Sequence, residues 1–177
     1  MIRDATAGDM AAVAAIYARE VREGTATFED IPPSTETLVE HLSGVQRLGL
    51  PWLVAEIDGE VAAYAYASPF RPRAAYRYAV ETSIYVGEGF QGQGLGRALM
   101  QTIIDQCRDI GLRQMIAAIS NDESDASVIL HEGLGFRPAG IYRRAGWKFG
   151  RWLDVTLMQL DLAPTAGPPD TPGLSLG

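Results

Sequence analysis

Five glycines fall within the ten residues 87–96, in the run Gly87-Glu88-Gly89-Phe90-Gln91-Gly92-Gln93-Gly94-Leu95-Gly96, with Arg97 following. No other stretch of the chain restricts its fold as tightly. On the N-terminal side, Val80-Glu81-Thr82-Ser83-Ile84-Tyr85-Val86 alternates as a strand does. On the C-terminal side, Leu95, Leu99, Ile103, Ile104 and Cys107 recur at helical spacing. A glycine-rich turn between a strand and a helix leaves backbone N–H groups free to converge on an anion. The helix N-terminus adds its partial positive charge, so a pyrophosphate is the natural guest. Glycines at the start of a helix cost roughly 1 kcal/mol each, which argues for a close backbone approach rather than a slack loop.

The rest of the chain supplies a frame for that turn. The first residues start a strand, and Thr6 through Asp9 form a capping-box-like start for a helix ending at Gly24. Ser34 caps a second helix running to about Leu48. Strands over residues 52–57 and 61–69 are joined by Asp58-Gly59, a hairpin dipeptide. After the turn and its helix come a strand over 115–119, a helix over 124–134, and strands over 139–142 and 153–162 flanking residues 146–150. The order β-α-α-β-β-β-α-β-α-β-β predicts an α/β (α+β) fold of three layers, a central mixed sheet with helices on its faces. Residues 1–162 form the single domain. Residues 163–177 hold four Pro and three Gly in 15 positions and read as a flexible tail.

Composition narrows the function. The formal charge of -7, from 22 acidic and 15 basic residues, disfavours nucleic acid as a partner. Fourteen of the basic residues are Arg and only Lys148 is Lys, so anions are gripped by guanidinium forks. Cys107 is the only cysteine, which excludes an intramolecular disulfide and a cysteine-based zinc site, and no metal is expected. Its helical position reads as a buried structural thiol. The acidic N-terminus is not a signal peptide, and the longest apolar run, residues 11–18, is too short for a membrane span of roughly 20 residues. A soluble cytoplasmic protein with no membrane partner is the expectation. His41 lies on the polar stripe of the second helix and reads as solvated.

Two motifs overlap in the glycine run. Gly87-x-Gly89-x-x-Gly92 matches a dinucleotide fingerprint, but its strand is the fourth of the chain and the next strand ends in Ser120-Asn121, with no acid to hold a ribose. The other is Gln91-x-x-Gly94-x-Gly96. With Asn121 and Ser127-Val128-Ile129-Leu130-His131-Glu132-Gly133-Leu134-Gly135-Phe136, it resembles the acyl-CoA loop and following helix of the GNAT N-acetyltransferases. Within that superfamily the likeness is to the phosphinothricin / methionine sulfoximine acetyltransferases. Thr27-Phe28, Tyr76-x-x-x-Val80-Glu81-x-Ser83-Ile84-Tyr85-Val86, Leu130-His131-Glu132 and Lys148-Phe149-Gly150-x-Trp152-x-Asp154 carry it. The resemblance implies a twisted mixed sheet, acetyl-CoA as cosubstrate, a small amino-acid-like acceptor and a homodimer.

Acetyl transfer to an amine needs a base for the ammonium, a donor for the thioester oxygen and a proton for the leaving sulfur. Glu81, among apolar strand neighbours, suits a carboxylate whose pKa burial raises. His131 stands where many members of the superfamily carry a tyrosine proton donor. Both are catalytic candidates, with base and acid not assigned between them. The resemblance places the cofactor on Ile84, Tyr85, Val86, Gln91, Gly92, Gln93, Gly94, Leu95, Gly96, Arg97 and Asn121. It places the acceptor near Phe28, Glu29, Arg71, Arg73 and Tyr76, where guanidinium forks suit a carboxylate, sulfoximine or phosphinate. Direct transfer in a ternary complex is the expected mechanism. Acetylation of a polyamine, aminoglycoside or peptide N-terminus is the alternative, which the Arg71/Arg73 pair disfavours. A non-catalytic acetyl-CoA sensor is the other, and the filled Glu81 and His131 positions speak against it.

Overall fold

The computed structural model describes residues 1–120, 125–165 and 167–176. Strand β1 (Ile2–Asp4) leads through a 3₁₀ turn into helix α1 (Met10–Glu23), and helix α2 (Thr35–Arg47) follows. The first junction is held by one carboxylate. Asp9 accepts from the Arg3 guanidinium at 2.7 and 2.8 Å and from the Thr6 amide and hydroxyl at 2.8 and 2.9 Å, tying β1 to α1. Ser34 caps α2 by accepting from the Thr37 amide at 3.2 Å. Strands β2 (Trp52–Ile57) and β3 (Glu60–Pro69) turn at Asp58-Gly59, where both residues have positive φ, the geometry of a primed two-residue hairpin.

Strand β4 (Ala79–Val86), helix α3 (Leu95–Asp109), strand β5 (Gln114–Ser120), helix α4 (Ala126–Glu132) and strands β6 (Arg137–Lys148) and β7 (Arg151–Asp161) complete the chain. One seven-stranded sheet results, in the order β1-β2-β3-β4-β5-β7-β6. Only β4 and β5 run parallel; the other neighbours are antiparallel. Strand alternation assigns the layers. The Thr82 hydroxyl meets Met100 of α3 on one face, whereas the Tyr85 ring meets Tyr17 of α1 edge-on from the other. A Cβ placed on Gly96 of α3 would lie 3.5 Å from Leu130 of α4, so α3 and α4 share a layer. The three-layer mixed-sheet expectation holds.

Two local expectations change. Strand β6 is far longer than residues 139–142, β7 starts two residues before 153, and the turn shrinks from five residues to Phe149-Gly150, both at positive φ. Register shifts around Gly140 and between Tyr142 and Gly146 absorb the residues that break the alternation. Helix α4, described over Ala126–Glu132, ends before residue 134 because Gly133-Leu134-Gly135 turns the chain; residue 124, its expected start, lies outside the described residues. His41 is exposed, as its polar stripe implies, and its ring also packs edge-on against Trp52 and Tyr66.

The segment read as a flexible end makes defined contacts. The Tyr78 hydroxyl donates to the Thr171 carbonyl at 2.7 Å, the Leu174 amide donates to the Arg77 carbonyl at 2.8 Å, and Leu174 is buried. Among the described residues no helix is long and apolar enough to cross a membrane.

Cys107 is fully buried against Leu99, Ile103 and the sheet, and burial pushes its thiol up to about 12. The native protein is therefore expected to leave a disulfide-exchange reagent such as dithionitrobenzoate unreacted, releasing one equivalent of colour only in denaturant. Stoichiometric reaction of the folded protein would show that this thiol is accessible.

Candidate active site

The site begins where a strand pair stops pairing. β4 and β5 are in register only at Ala79–Gln114, Val80–Met115 and Glu81–Ile116. Beyond Glu81 each strand keeps its other neighbour: β4 stays on β3 to Val86, and β5 stays on β7 to Ser120. The facing edges of residues 82–86 and 117–120 are left without a strand partner, and a cleft of about 380 Å³ opens between them. Ile84, Tyr85, Val86 and Gln91 line it, with Glu81 at its inner end and His131 on its wall.

The glycine turn closes the mouth of this cleft. Gly89, Gly92 and Gly94 have φ of 79°, 74° and 79°, and a Cβ on any of them would meet nothing within 4 Å. They are glycines for conformation and not for interior crowding, and the space beside their backbone is open. Gly94 is the N-cap of α3 and offers no side chain to the first-turn amides, so those donors point at the open space. Gln93 braces the turn by donating to the Gly89 carbonyl at 3.0 Å. Leu95 begins the helix, and Gly96 is a packing glycine set against Ile84 and Leu130. Arg97 reaches sideways to the Gly133 carbonyl at 3.0 Å.

Burial shifts Glu81 and His131 in opposite directions. Burial raises the Glu81 carboxyl above its ordinary range, and the Arg71 charge partly offsets that. His131 is 2% exposed, with its ring edge-on to Phe136 and Nδ1 2.7 Å from the Ser127 carbonyl. A carbonyl only accepts, so Nδ1 carries the proton. Burial lowers this histidine's pKa, which favours the neutral ring. Nε2 is then a bare lone pair, and it has no partner among the described residues.

The residues assigned to the acceptor divide between two cavities. Arg71 and Tyr76 share with Glu81 a mainly apolar cavity of about 420 Å³ on the sheet face that α1 and α2 leave bare, walled by Ile116, Tyr142 and Leu157. The Arg71 guanidinium stacks on Phe70, whose ring also meets Tyr76 edge-on. Arg73 is not on that wall: it is exposed, at the backbone start of the 3₁₀ turn Ala74–Tyr76, and its side chain makes no capping bond. Glu29 lines a smaller cavity of about 160 Å³ with Tyr17, His41, Trp52 and Tyr66, and Phe28 rests on Gly146. Asn121 lies outside the described residues.

Residues 2–157 match the model of the acetyltransferase (GNAT) domain family. The chain belongs to the GNAT acetyltransferases. It is 46% identical over 154 residues to phosphinothricin N-acetyltransferase of Alcaligenes faecalis, covering 87% of this chain and 78% of that one. It is 40% identical to the L-methionine sulfoximine/L-methionine sulfone acetyltransferase of Salmonella typhimurium, over 94% and 97% of the two chains. The crystal structure of a GNAT phosphinothricin acetyltransferase from Sinorhizobium meliloti, solved in complex with AcCoA, superposes with a TM-score of 0.92 at 42% identity, covering 96% and 92%.

In this GNAT acetyltransferase, sequence reasoning missed the aromatic cluster beside Glu29. Its signal was present: Tyr64 and Tyr66 alternate in β3 and pair with Tyr85 and Ser83, on the same sheet face as Glu81. Among the described residues, no group of three or more His, Cys, Asp or Glu side chains is placed to hold a metal ion. The tautomer of His131 is directly measurable. Long-range ¹H–¹⁵N spectra are expected to show the Nδ1–H form with a titration midpoint below the usual 6.5. An Nε2–H pattern would overturn the assignment.

Proposed function

We propose that the protein transfers acetyl from acetyl-CoA to the α-amine of a small amino-acid analogue of the phosphinothricin, methionine sulfoximine or methionine sulfone type, directly and within a ternary complex. The observation that carries this reading is Glu81, which lines both the cleft between β4 and β5 and the cavity holding Arg71 and Tyr76. One carboxylate thus faces a slot suited to a thioester and a pocket suited to an anionic amine.

The chain fits acetyl-CoA through features of its own backbone. The open positive-φ turn and the uncapped start of α3 suit the pyrophosphate, and the unpartnered strand edges suit the pantetheine amides. When bound, acetyl-CoA supplies the acetyl thioester. Arg71, which has no acidic hydrogen-bond partner among the described residues, is free to hold the acceptor's carboxylate or tetrahedral group. Amide formation from an ammonium releases two protons. Glu81, at the acceptor side with a raised pKa, takes the first. His131, neutral and bare at Nε2, takes the second and returns it to the leaving sulfur. A resting donor role does not suit this histidine, since Nδ1–H is committed to Ser127. Direct transfer is supported by Cys107, which is sealed in the core on the α3 face and cannot carry an acyl group.

Steady-state kinetics with L-methionine sulfoximine, L-methionine sulfone, phosphinothricin and spermidine test the reading. Glu81→Gln is expected to keep acceptor KM while kcat falls by roughly 10²–10⁴, most strongly at low pH where the amine is protonated. Arg71→Ala is expected to raise acceptor KM by roughly ten-fold or more with acetyl-CoA affinity unchanged, because a charge-assisted bond is worth about 1.5–3 kcal/mol. Preference for spermidine, or an Arg71→Ala enzyme equal to the parent, would overturn the acceptor assignment.

The same family resemblance carries a homodimer. Exposed Ile141, Tyr142, Trp147 and Trp152 on the outer hairpin offer apolar surface for it. Light scattering is expected to give twice 19.1 kDa, and a clean monomer would refute the dimer.

A further inference from the structure

The chain's only lysine stands at an unusual place. Lys148, the last residue of β6, is 5% exposed, and its ammonium donates to three backbone carbonyls: Gly24 and Thr27 at 2.8 Å and Glu20 at 3.3 Å. Glu20 belongs to the last turn of α1, Gly24 is that helix's C-cap, and Thr27 lies in the loop beyond. Three carbonyls therefore meet three N–H donors on one compact cation. A flat guanidinium fork cannot aim its protons at carbonyls converging on a point, which accounts for lysine in a chain that otherwise uses arginine. Packing alone would not call for a charge, since burying an ammonium is costly unless its donors are met.

The same strand face carries a second contact. Gly146, two residues earlier and hence on the Lys148 side of β6, lies under the Phe28 ring; a Cβ there would sit 2.4 Å from Phe28 Cε2. The intervening Trp147 points out to solvent. The loop between α1 and α2 is tied further by the Ser120 hydroxyl, which donates to the Thr25 carbonyl, and by Tyr17, whose hydroxyl lies 2.7 Å from Thr27 Oγ1. Thr27 Oγ1 also accepts from the Glu29 amide at 3.2 Å. These ties fix the chain on the N-terminal side of Phe28-Glu29, and two of them reach Phe28 and Glu29 themselves.

We propose that Lys148 is a positioning residue for the acceptor: its ammonium holds the loop from Gly24 to Glu29 so that Phe28 and Glu29 face the substrate. The inference rests on the reading of Phe28 and Glu29 as acceptor contacts. Lys148 acts through backbone carbonyls and touches neither substrate. It couples the far edge of the sheet, β6, to a loop on the opposite side of the cleft. Acceptor recognition thereby depends on the outer hairpin as well as on the residues lining the pocket.

Lys148→Met keeps the aliphatic stem and removes the three donors. With L-methionine sulfone as acceptor, its acceptor KM is expected to rise at least about ten-fold while kcat and acetyl-CoA KM stay within about three-fold. Lys148→Arg is expected to recover only part of that loss. Phe28→Ala and Glu29→Ala run alongside. If they leave acceptor KM unchanged, the acceptor-loop reading fails and the inference with it. If they raise it and folded Lys148→Met does not, the Lys148 inference alone fails. Should Lys148→Met not fold, parent protein labelled with ¹³C at lysine Cε gives a single lysine signal. That signal is expected to shift on saturation with L-methionine sulfone, and an unmoved signal overturns the proposal.

Discussion

The end of hydrogen bonding between β4 and β5 after Glu81 and Ile116 is the constraint on which the rest of the site depends. Parallel neighbours ordinarily continue side by side, because an abandoned strand edge leaves donors and acceptors unmet. Here each strand is held to its other neighbour, β4 by β3 and β5 by β7, so the two halves of the sheet separate without either unravelling. The cost of the open edges is one that a polar, extended ligand relieves. The split also fixes the position of Glu81. As the last paired residue of β4, it is held by the ladder behind it and faces the gap ahead.

Burial then acts on the two ionisable groups from both sides. Glu81 is shifted toward its protonated form and His131 toward its neutral one, each because the charged form is poorly solvated. The difference lies in their partners. Arg71 partly restores the Glu81 charge and lies on the acceptor side. The Ser127 carbonyl fixes a tautomer on His131 and leaves its other nitrogen bare. A carboxyl beside a cation and an imidazole held by a carbonyl are distinct environments, so two titratable groups lining one cleft are set apart in character.

Much of this was legible in the chain. Alternation gave β4, the helical spacing of Leu95 through Cys107 gave α3, and Asp58-Gly59 gave the first hairpin, since each signal is local. What escaped depended on distant partners. Arg73 and Arg71 are equivalent by composition, and only the folded loop shows that Arg71 lines the pocket while Arg73 stands outside it at the start of the 3₁₀ turn Ala74–Tyr76. The His41 ring is exposed as its helix stripe implies, but its edge contacts with Trp52 and Tyr66 come from other elements. The outer hairpin lost its pattern at register shifts that only the pairing partner reveals. Lys148 belonged to a recognised motif, yet the carbonyls it grips lie more than 120 residues away in sequence.

Gly96 shows how the glycine turn and helix α4 are joined. Its backbone is ordinary helix, so it is not required for conformation as Gly94 is. A Cβ there would lie 3.5 Å from both Ile84 of β4 and Leu130 of α4, so the missing side chain lets three elements approach at one point. Leu130 directly precedes His131. One residue further along α3, Arg97 donates to the carbonyl of Gly133, just past the end of α4. The start of α3 is thereby fastened to α4 on both sides of His131. Closely packed interiors do not deform continuously, so a displacement at the glycine turn carries over to the helix that holds the imidazole. The glycine run thus does two jobs with one residue type: Gly89, Gly92 and Gly94 take the positive φ that leaves the backbone open, and Gly96 ties that opening to the helix of His131.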